Sequence, residues 1–508
     1  MSIEMKIMLI RPRWTVERQA INTPMGAMYI ASSVREWVNP TPEVSIYHME
    51  KEGAGLKDLR HRLEKEQPDV IGFSVLSAES PGLNLCMEVA REVLPDVFIA
   101  VGGPHATIFH DMVLRRPEVD AVVIGEGEKT FAELIDRLQS DMDWRDIDGI
   151  AYNDNGMPVY NSPREYIADI DEIPHPAYDL IDIPAYSGFH HMNSILAAWP
   201  FMTIFTSRAC PYGCIYCHRI FGKRFRGRSP ENVMEEIQLL YENYGVREIH
   251  ITDDIFNWDK HRAKTICRKI IESKYKLKIA FPNGIRADLL DDELIELLAA
   301  AGTYTLNFAV ETVSPRIQKI TRKNVDLEKL DHSMQKAFDE GIIPQSFYML
   351  GFPTETEEEI RKTIHHAVRS PALKASFFSV LPYPRTKLYD WVKENNPDFD
   401  VDDDKFKDMQ YYTQGFYDMV RDDLDLTSLV KMAYKKFYLR PWRIMKIIQM
   451  YPKNRNFLRA MLYGLRLLWV GRFWEKARAK VVRLSSGFEN IEPKHVPMEM
   501  QSNGVSKK

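Results

Sequence analysis

Short apolar runs alternate with helically spaced segments along most of this chain. Residues 6–13 read as a buried strand ending in a proline turn, and residues 25–37 place apolar side chains at helical intervals. The alternation continues with strands over 44–48, 69–75, 97–101 and 121–124, and with helices over 56–66, 83–93 and 131–138. Strands alternating with helices predict βαβ units and a parallel, doubly wound sheet. Periodicity fades over 141–200, a connector rich in Asp, Pro and Tyr, in which 149–160 reads as a hairpin about the turn Asn155-Gly156. The alternation then resumes, with strands near 201–206, 248–252, 278–281, 305–310, 345–350 and 376–380. Helices fall between them near 230–244, 259–273, 291–301, 326–340 and 356–369. Six such units predict a partial (β/α)6 barrel with its site at the carboxyl ends of the strands. The fold class is therefore α/β. It comprises a Rossmann-like domain over 1–140, a linker over 141–200, the barrel over 201–390, a mostly helical region over 391–484 and a disordered polar tail over 485–508.

Composition changes this picture little until the C-terminal region. A chain of 508 residues exceeds a single core, and its 45% apolar and 27% charged residues are ordinary for a soluble protein. The net charge of −5 argues against nucleic acid as a partner. No window reaches about 18 uninterrupted apolar residues, so no spanning helix is expected. The N-terminus lacks the apolar run of a signal peptide. Residues 431–480, however, carry 14 Lys and Arg against the single acid Glu475, interleaved with Trp442, Trp469, Phe473 and Trp474. The stretch 457–470 is amphipathic at helical spacing. Two expectations follow: contact with an anionic membrane surface, or a helical cap on the barrel with a solvated basic face.

Candidate chemistry concentrates after the first barrel strand. Three of the five cysteines fall in Cys210-Pro-Tyr-Gly-Cys214-Ile-Tyr-Cys217. Thiolates are soft ligands that select iron–sulfur clusters or zinc. Structural zinc takes four closed ligands, and no fourth cysteine lies nearby. Three unequally spaced thiolates suit a [4Fe–4S] cluster with one iron left open. Pro211 and Gly213 keep the loop tight. Cys86 and Cys267 lie in helical stretches and read as buried apolar residues.

With Tyr216 in its aromatic slot, this C-x3-C-x-aromatic-C run resembles the radical S-adenosylmethionine (SAM) enzymes. The resemblance implies that Cys210, Cys214 and Cys217 hold the cluster, beside Tyr216, and that SAM chelates its free iron. An electron from the cluster would then cleave SAM to a 5′-deoxyadenosyl radical. Further residues on the rim match the family. Asp253 and Asp254 follow the second strand, where relatives contact the SAM amino group, and Arg286 follows the third, suited to the SAM carboxylate. Glu311 and Thr312 follow the fourth in place of the usual Glu-Ser, with Thr312 keeping a hydroxyl for a ribose or amino contact. Gly351-Phe-Pro-Thr-Glu-Thr356 follows the fifth.

The N-terminal sheet offers three loops of its own: Ser74 and Leu76; Gly102, Gly103, His105 and Thr107; and Gly125, Glu126 and Gly127. Ligands of doubly wound sheets bind beyond the carboxyl ends of the strands, where glycine lets the backbone approach a bulky ligand. Together the loops resemble the cobalamin-binding domain that precedes many radical SAM domains. The Asp-x-His-x-x-Gly motif is absent, so the resemblance implies cobalamin without a protein histidine on cobalt, and His105 reads as a loop or ligand-contact residue.

The whole layout resembles the branch containing the anaerobic magnesium-protoporphyrin ester cyclase and hopanoid-tailoring enzymes. It implies cobalamin-dependent methyl transfer from SAM to an unactivated carbon of an apolar or lipid-like small molecule. Cyclisation or oxidation without methyl transfer is the alternative within enzymes, and a non-catalytic iron–sulfur redox module is the alternative of another class. The implied cofactors are the [4Fe–4S] cluster, SAM and cobalamin, and the implied partner is a flavodoxin- or ferredoxin-type electron donor. The expected location is cytoplasmic, with peripheral membrane contact through the C-terminal region. No catalytic side chain is assigned.

Overall fold

Two parallel sheets organise the computed structural model, which describes residues 5–13, 21–187, 196–397, 399, 423–453 and 457. The first sheet contains β1 (Lys6–Arg11), β2 (Glu43–His48), β3 (Val70–Ser74), β4 (Phe98–Gly102), β5 (Ala121–Val123), β6 (Ile150–Asp154) and β7 (Met157–Tyr160), in the order 2-1-3-4-5-6-7. Strands β1 to β5 are parallel. The chain reverses direction across the sheet between β1 and β3, and a crevice opens beyond the strands at such a switch point. β6 and β7 pair antiparallel and extend this sheet beyond β5. The hairpin read from Asn155-Gly156 is thus an edge of the first sheet rather than part of a free connector.

The second group comprises β8 (Phe201–Ile204), a short antiparallel ribbon of β9 (Ser207–Arg208) and β10 (Arg226–Gly227), and then β11 (Glu248–Ile251), β12 (Lys278–Ile285), β13 (Thr303–Glu311), β14 (Ile343–Leu350) and β15 (Lys374–Ser379). The six long strands are parallel and ordered 15-14-13-12-11-8, with each neighbour in sequence its neighbour in space. Their helices start where the sequence provides a cap. Ser229, Asp259, Asp291, Asp326 and Thr356 each accept a backbone N–H of the first turn with their side chains. One apolar core runs from one face of the first sheet, through Met28, Phe131 and Tyr178, into the barrel at Met202 and Ile249. A separate core covers the other face of the first sheet, with Ile10, Phe73 and Met87.

Two loops expected in the first domain are helix starts. Helix Gly103–Val113 begins directly after β4 with Pro104 in its first turn, and helix Gly127–Gln139 starts earlier than expected. Proline is tolerated at the first helical position, and Gly103 takes φ +89° to make the turn.

Beyond the barrel, helix Leu426–Tyr438 covers the open edge of β15. The Tyr434 and Tyr438 hydroxyls accept the N–H groups of Phe377 and Ala375, both at 3.2 Å. Arg443, in helix Pro441–Met450, is 1% exposed and donates to the carbonyls of Ala372 and Ser370. This part of the basic region caps an edge strand that would otherwise offer unpaired amides. The amphipathic stretch 457–470 and the tail lie outside the described residues, apart from Phe457. Of the described residues, Leu196, 451–453 and Phe457 separate as a second unit.

Candidate active site

The cysteines sit on the excursion 209–225, whose two ends are zipped together as the β9–β10 ribbon. Ala209 enters it at φ +69°. Ile215 is held on both sides: its N–H donates to Thr321 O and its carbonyl accepts from Leu388 N, each at 3.0 Å. Cys214 is buried and Cys217 reaches the surface. A hydrogen bond between them pulls the Cys214 thiol down, helped by the Lys323 ammonium, and pushes the Cys217 thiol up. The Tyr216 ring packs 5.7 Å from that of Phe352. Among the described residues, no three His, Cys, Asp or Glu side chains already converge as a metal site. What the loop supplies is the donor set: three free thiols on one strand-end loop.

The other rim residues divide into supports and residues that meet open space. Asp253 is a support, accepting Thr206 N–H and Ser207 O–H, both at 2.6 Å, while burial raises its pKa. Thr312 is also turned inward, with its hydroxyl 3.3 Å from both Glu355 Oε1 and Thr363 Oγ1. Arg286, expected at a SAM carboxylate, pairs with Asp288 at 2.8 Å and donates to the carbonyls of Lys323 and Asn324. Its guanidinium lies 3.6 Å from the centroid of the Tyr212 ring, so it props the cysteine loop from below. Glu311 takes φ +66°, lies 3.6 Å from Lys323 Nζ and has its pKa raised by burial. Asp254 faces open space, and burial and then the neighbouring Asp253 charge raise its pKa.

That space is a cavity of about 450 Å³ walled by both sheets, within the range of small-molecule and cofactor sites. From the first sheet, Ser74, Leu76, Gly102, Gly103, Thr107 and the segment 125–128 line it. From the barrel come Thr203, Phe205, Arg208, Thr252, Asp254 and Asn283. Gly125, at φ +85°, has no atom within 4 Å of where a Cβ would stand, so that wall is bare backbone facing open space. The mouth of the first sheet also carries Arg11, whose Nε donates to Glu79 Oε1 at 2.8 Å. His105 is the exception among the loop residues. It does not line the cavity, because on the first turn of its helix it points to Ser77 Oγ at 3.3 Å and packs on Phe109. Burial lowers its pKa to about 4.

Sequence reading named Glu126 with the cofactor loops, whereas its carboxylate is spent in joining the walls. Glu126 and Glu128 leave the first sheet and meet Arg208 and Arg226 at the two ends of the cysteine excursion. No local signal pairs them, since the acidic partners lie 80 and 82 residues upstream of Arg208.

Comparison with known proteins agrees with this geometry. Residues 204–367 match the radical SAM superfamily, and residues 15–135 match the B12 binding domain. An uncharacterized methyltransferase of Pyrococcus horikoshii is 31% identical over 87% of this chain and 95% of its own length. The anaerobic magnesium-protoporphyrin IX monomethyl ester cyclase of Rubrivivax gelatinosus is 24% identical over 78% of this chain and 70% of its own. In fold, the chain resembles the radical S-adenosylmethionine methyltransferase TsrM from Kitasatospora setae, solved with cobalamin and a [4Fe–4S] cluster. The TM-score is 0.66 at 18% identity, covering 77% of this chain and 78% of that one. The chain belongs to the radical SAM superfamily, as an enzyme with a B12-binding domain ahead of its barrel and with a [4Fe–4S] cluster, SAM and cobalamin as cofactors.

Proposed function

We propose that this enzyme transfers a methyl group from SAM to an unactivated carbon of an apolar small molecule. The observation that carries the reading is the single cavity walled by the glycine loops of the first sheet and by the rim of the barrel. In this reading Cys210, Cys214 and Cys217 hold the cluster. Asp254 takes the SAM ammonium, while Glu311 and Lys323 set the charge beside the cluster. The loops at Ser74, Gly102–Gly103 and 125–127 cradle cobalamin with backbone. The chemistry supplied by the three cofactors when bound is reductive cleavage of SAM, hydrogen abstraction and methyl delivery. The protein orients the partners and excludes water through an apolar wall that includes Leu9, Phe73 and Phe131.

The likeness to a cyclase gives the second reading, a radical outcome without methyl transfer. Incubating the reduced holoprotein with SAM separates the two. About one equivalent of S-adenosylhomocysteine per cobalamin supports methyl transfer, whereas 5′-deoxyadenosine alone sinks it in favour of the second reading.

Two partners belong to the same proposal. A flavodoxin- or ferredoxin-type donor suits the surroundings of the cysteine loop, since neither 209–228 nor 313–325 contains an acidic residue. Membrane-surface contact is supported by Trp442, Ile444, Met445 and Ile448, all at least 41% exposed on one helix beside Lys446. No helix among the described residues is long and apolar enough to cross a membrane. Met445→Glu with Ile448→Glu is expected to release the protein from anionic vesicles, and unchanged partitioning would remove this part of the proposal.

A further inference from the structure

The cysteine excursion is fastened at both ends by one carboxylate from the other domain. Glu126 stands between β5 and helix Gly127–Gln139, among residues that wall the cavity. Its Oε1 accepts from Arg208 at 3.0 Å, and its two oxygens receive the Arg226 guanidinium, each at 2.8 Å. Arg208 and Arg226 are cross-strand partners in the β9–β10 ribbon, so they are the last ordered pair before the loop that carries all three cysteines. Glu128 takes the other arm of Arg208 at 2.5 Å. The remaining Glu126 lone pairs accept Ile167 N–H at 2.9 Å, which brings the linker into the same knot. All four side chains are at most 8% exposed. Two carboxylates face two guanidiniums, so the buried charges balance and the bidentate geometry is specific.

We propose that Glu126 is a positioning residue that couples ligand binding in the cavity to the conformation of the cysteine loop. This deepens the reading that the cavity holds cobalamin, and it rests on that reading for the identity of the ligand. A ligand seated against Gly125 and Gly127 fixes the backbone on either side of Glu126. The fixed carboxylate holds Arg208 and Arg226 in register and thereby closes the base of the excursion. Assembly of the cluster closes the same base from the other side. Two events that both favour one arrangement of a shared element favour each other, and by linkage they do so by equal factors.

The test measures hydroxocobalamin affinity anaerobically by visible absorbance, with cluster-free and with iron–sulfur-reconstituted protein. The wild type is expected to bind about five- to a hundredfold more tightly with the cluster in place, and equal affinities overturn the coupling. In Glu126→Gln the ratio is expected to fall toward one, and a retained ratio overturns the role of Glu126. If that variant does not fold, Glu128→Gln frees only one arm of Arg208 and is expected to give an intermediate ratio, with an unchanged one counting against the proposal. If no form of the protein binds hydroxocobalamin, the cobalamin reading fails, and the positioning role is decided by the reduced cluster. An altered electron paramagnetic resonance line shape in Glu126→Gln then upholds it, and an identical one overturns it.

Discussion

The carboxyl ends of the first sheet present mostly backbone to the cavity, whereas those of the barrel carry charged and thiol side chains, with Asp254 in the cavity wall and the three thiols on the loop whose Ile220 and Phe221 line it. Around β3, β4 and β5 the wall is Gly102, Gly103, Gly125 and Gly127 with small or apolar neighbours, and the carboxylates of Glu126 and Glu128 turn aside into ion pairs. Around β8, β11 and β13 stand three thiols, Asp254, Glu311 and Lys323. Both are parallel sheets obeying the same rule for where ligands bind. In the proposed reading, the difference lies in what each edge binds. A wide ligand held by shape needs room close to the backbone, which glycine gives, whereas a cluster and a zwitterion need soft donors and opposite charges.

The sharpest way to break this comparison is to remove a ligating side chain. Cys214→Ala is expected to lose essentially all iron and all SAM cleavage while still binding cobalamin, only as weakly as the cluster-free wild type, as read by iron analysis and visible spectra. Complete loss of cobalamin binding together with the iron would mean that the cavity cannot hold its ligand without the cluster. A smaller effect is expected from Asp254→Asn, which removes the carboxylate proposed to take the SAM ammonium. SAM affinity measured by equilibrium dialysis should fall about ten- to a hundredfold, the range for a hydrogen bond to a charged group, with cobalamin affinity unchanged.

On the backbone edge, Gly103→Ala sharpens the contrast. Its Cβ would stand 2.8 Å from Val75 N at a φ of +89°, so unfolding stability should fall by about 1–3 kcal/mol and cobalamin affinity with it, while iron content is retained. The smallest effect belongs to Thr312→Val. Because the hydroxyl serves Glu355 and Thr363, stability is expected to drop by about 1 kcal/mol with no change in SAM affinity. A lost SAM affinity would return Thr312 to the binding edge.

The fold was legible where local signals agree. Apolar strands and Ser, Asp or Thr caps at 229, 259, 291, 326 and 356 mark the barrel helices to within a residue or two. The cysteine loop was equally legible, because thiol spacing on one loop is a local property. The roles of Asp253, Arg286, Thr312 and His105 were not. Whether a polar side chain at a strand end faces a ligand or its own scaffold depends on partners distant in sequence, such as Lys323 for Arg286 or Thr363 for Thr312. The Glu126–Arg208–Arg226 knot was invisible for the same reason. The hairpin was placed in the linker because its turn says where two strands meet, not which sheet they join.

The central claim is that one chain holds both cofactors, cobalamin in the cavity and the cluster on the loop whose Ile220 and Phe221 line that cavity. Anaerobic purification with cobalamin supplied, followed by visible spectroscopy and iron counting, tests it most directly. About one cobalamin and about four irons per chain, with the iron lost and cobalamin still bound, though more weakly, in Cys214→Ala, is the expected result. Four irons with no cobalamin would contradict it, leaving the first sheet a cap and methyl transfer without its carrier.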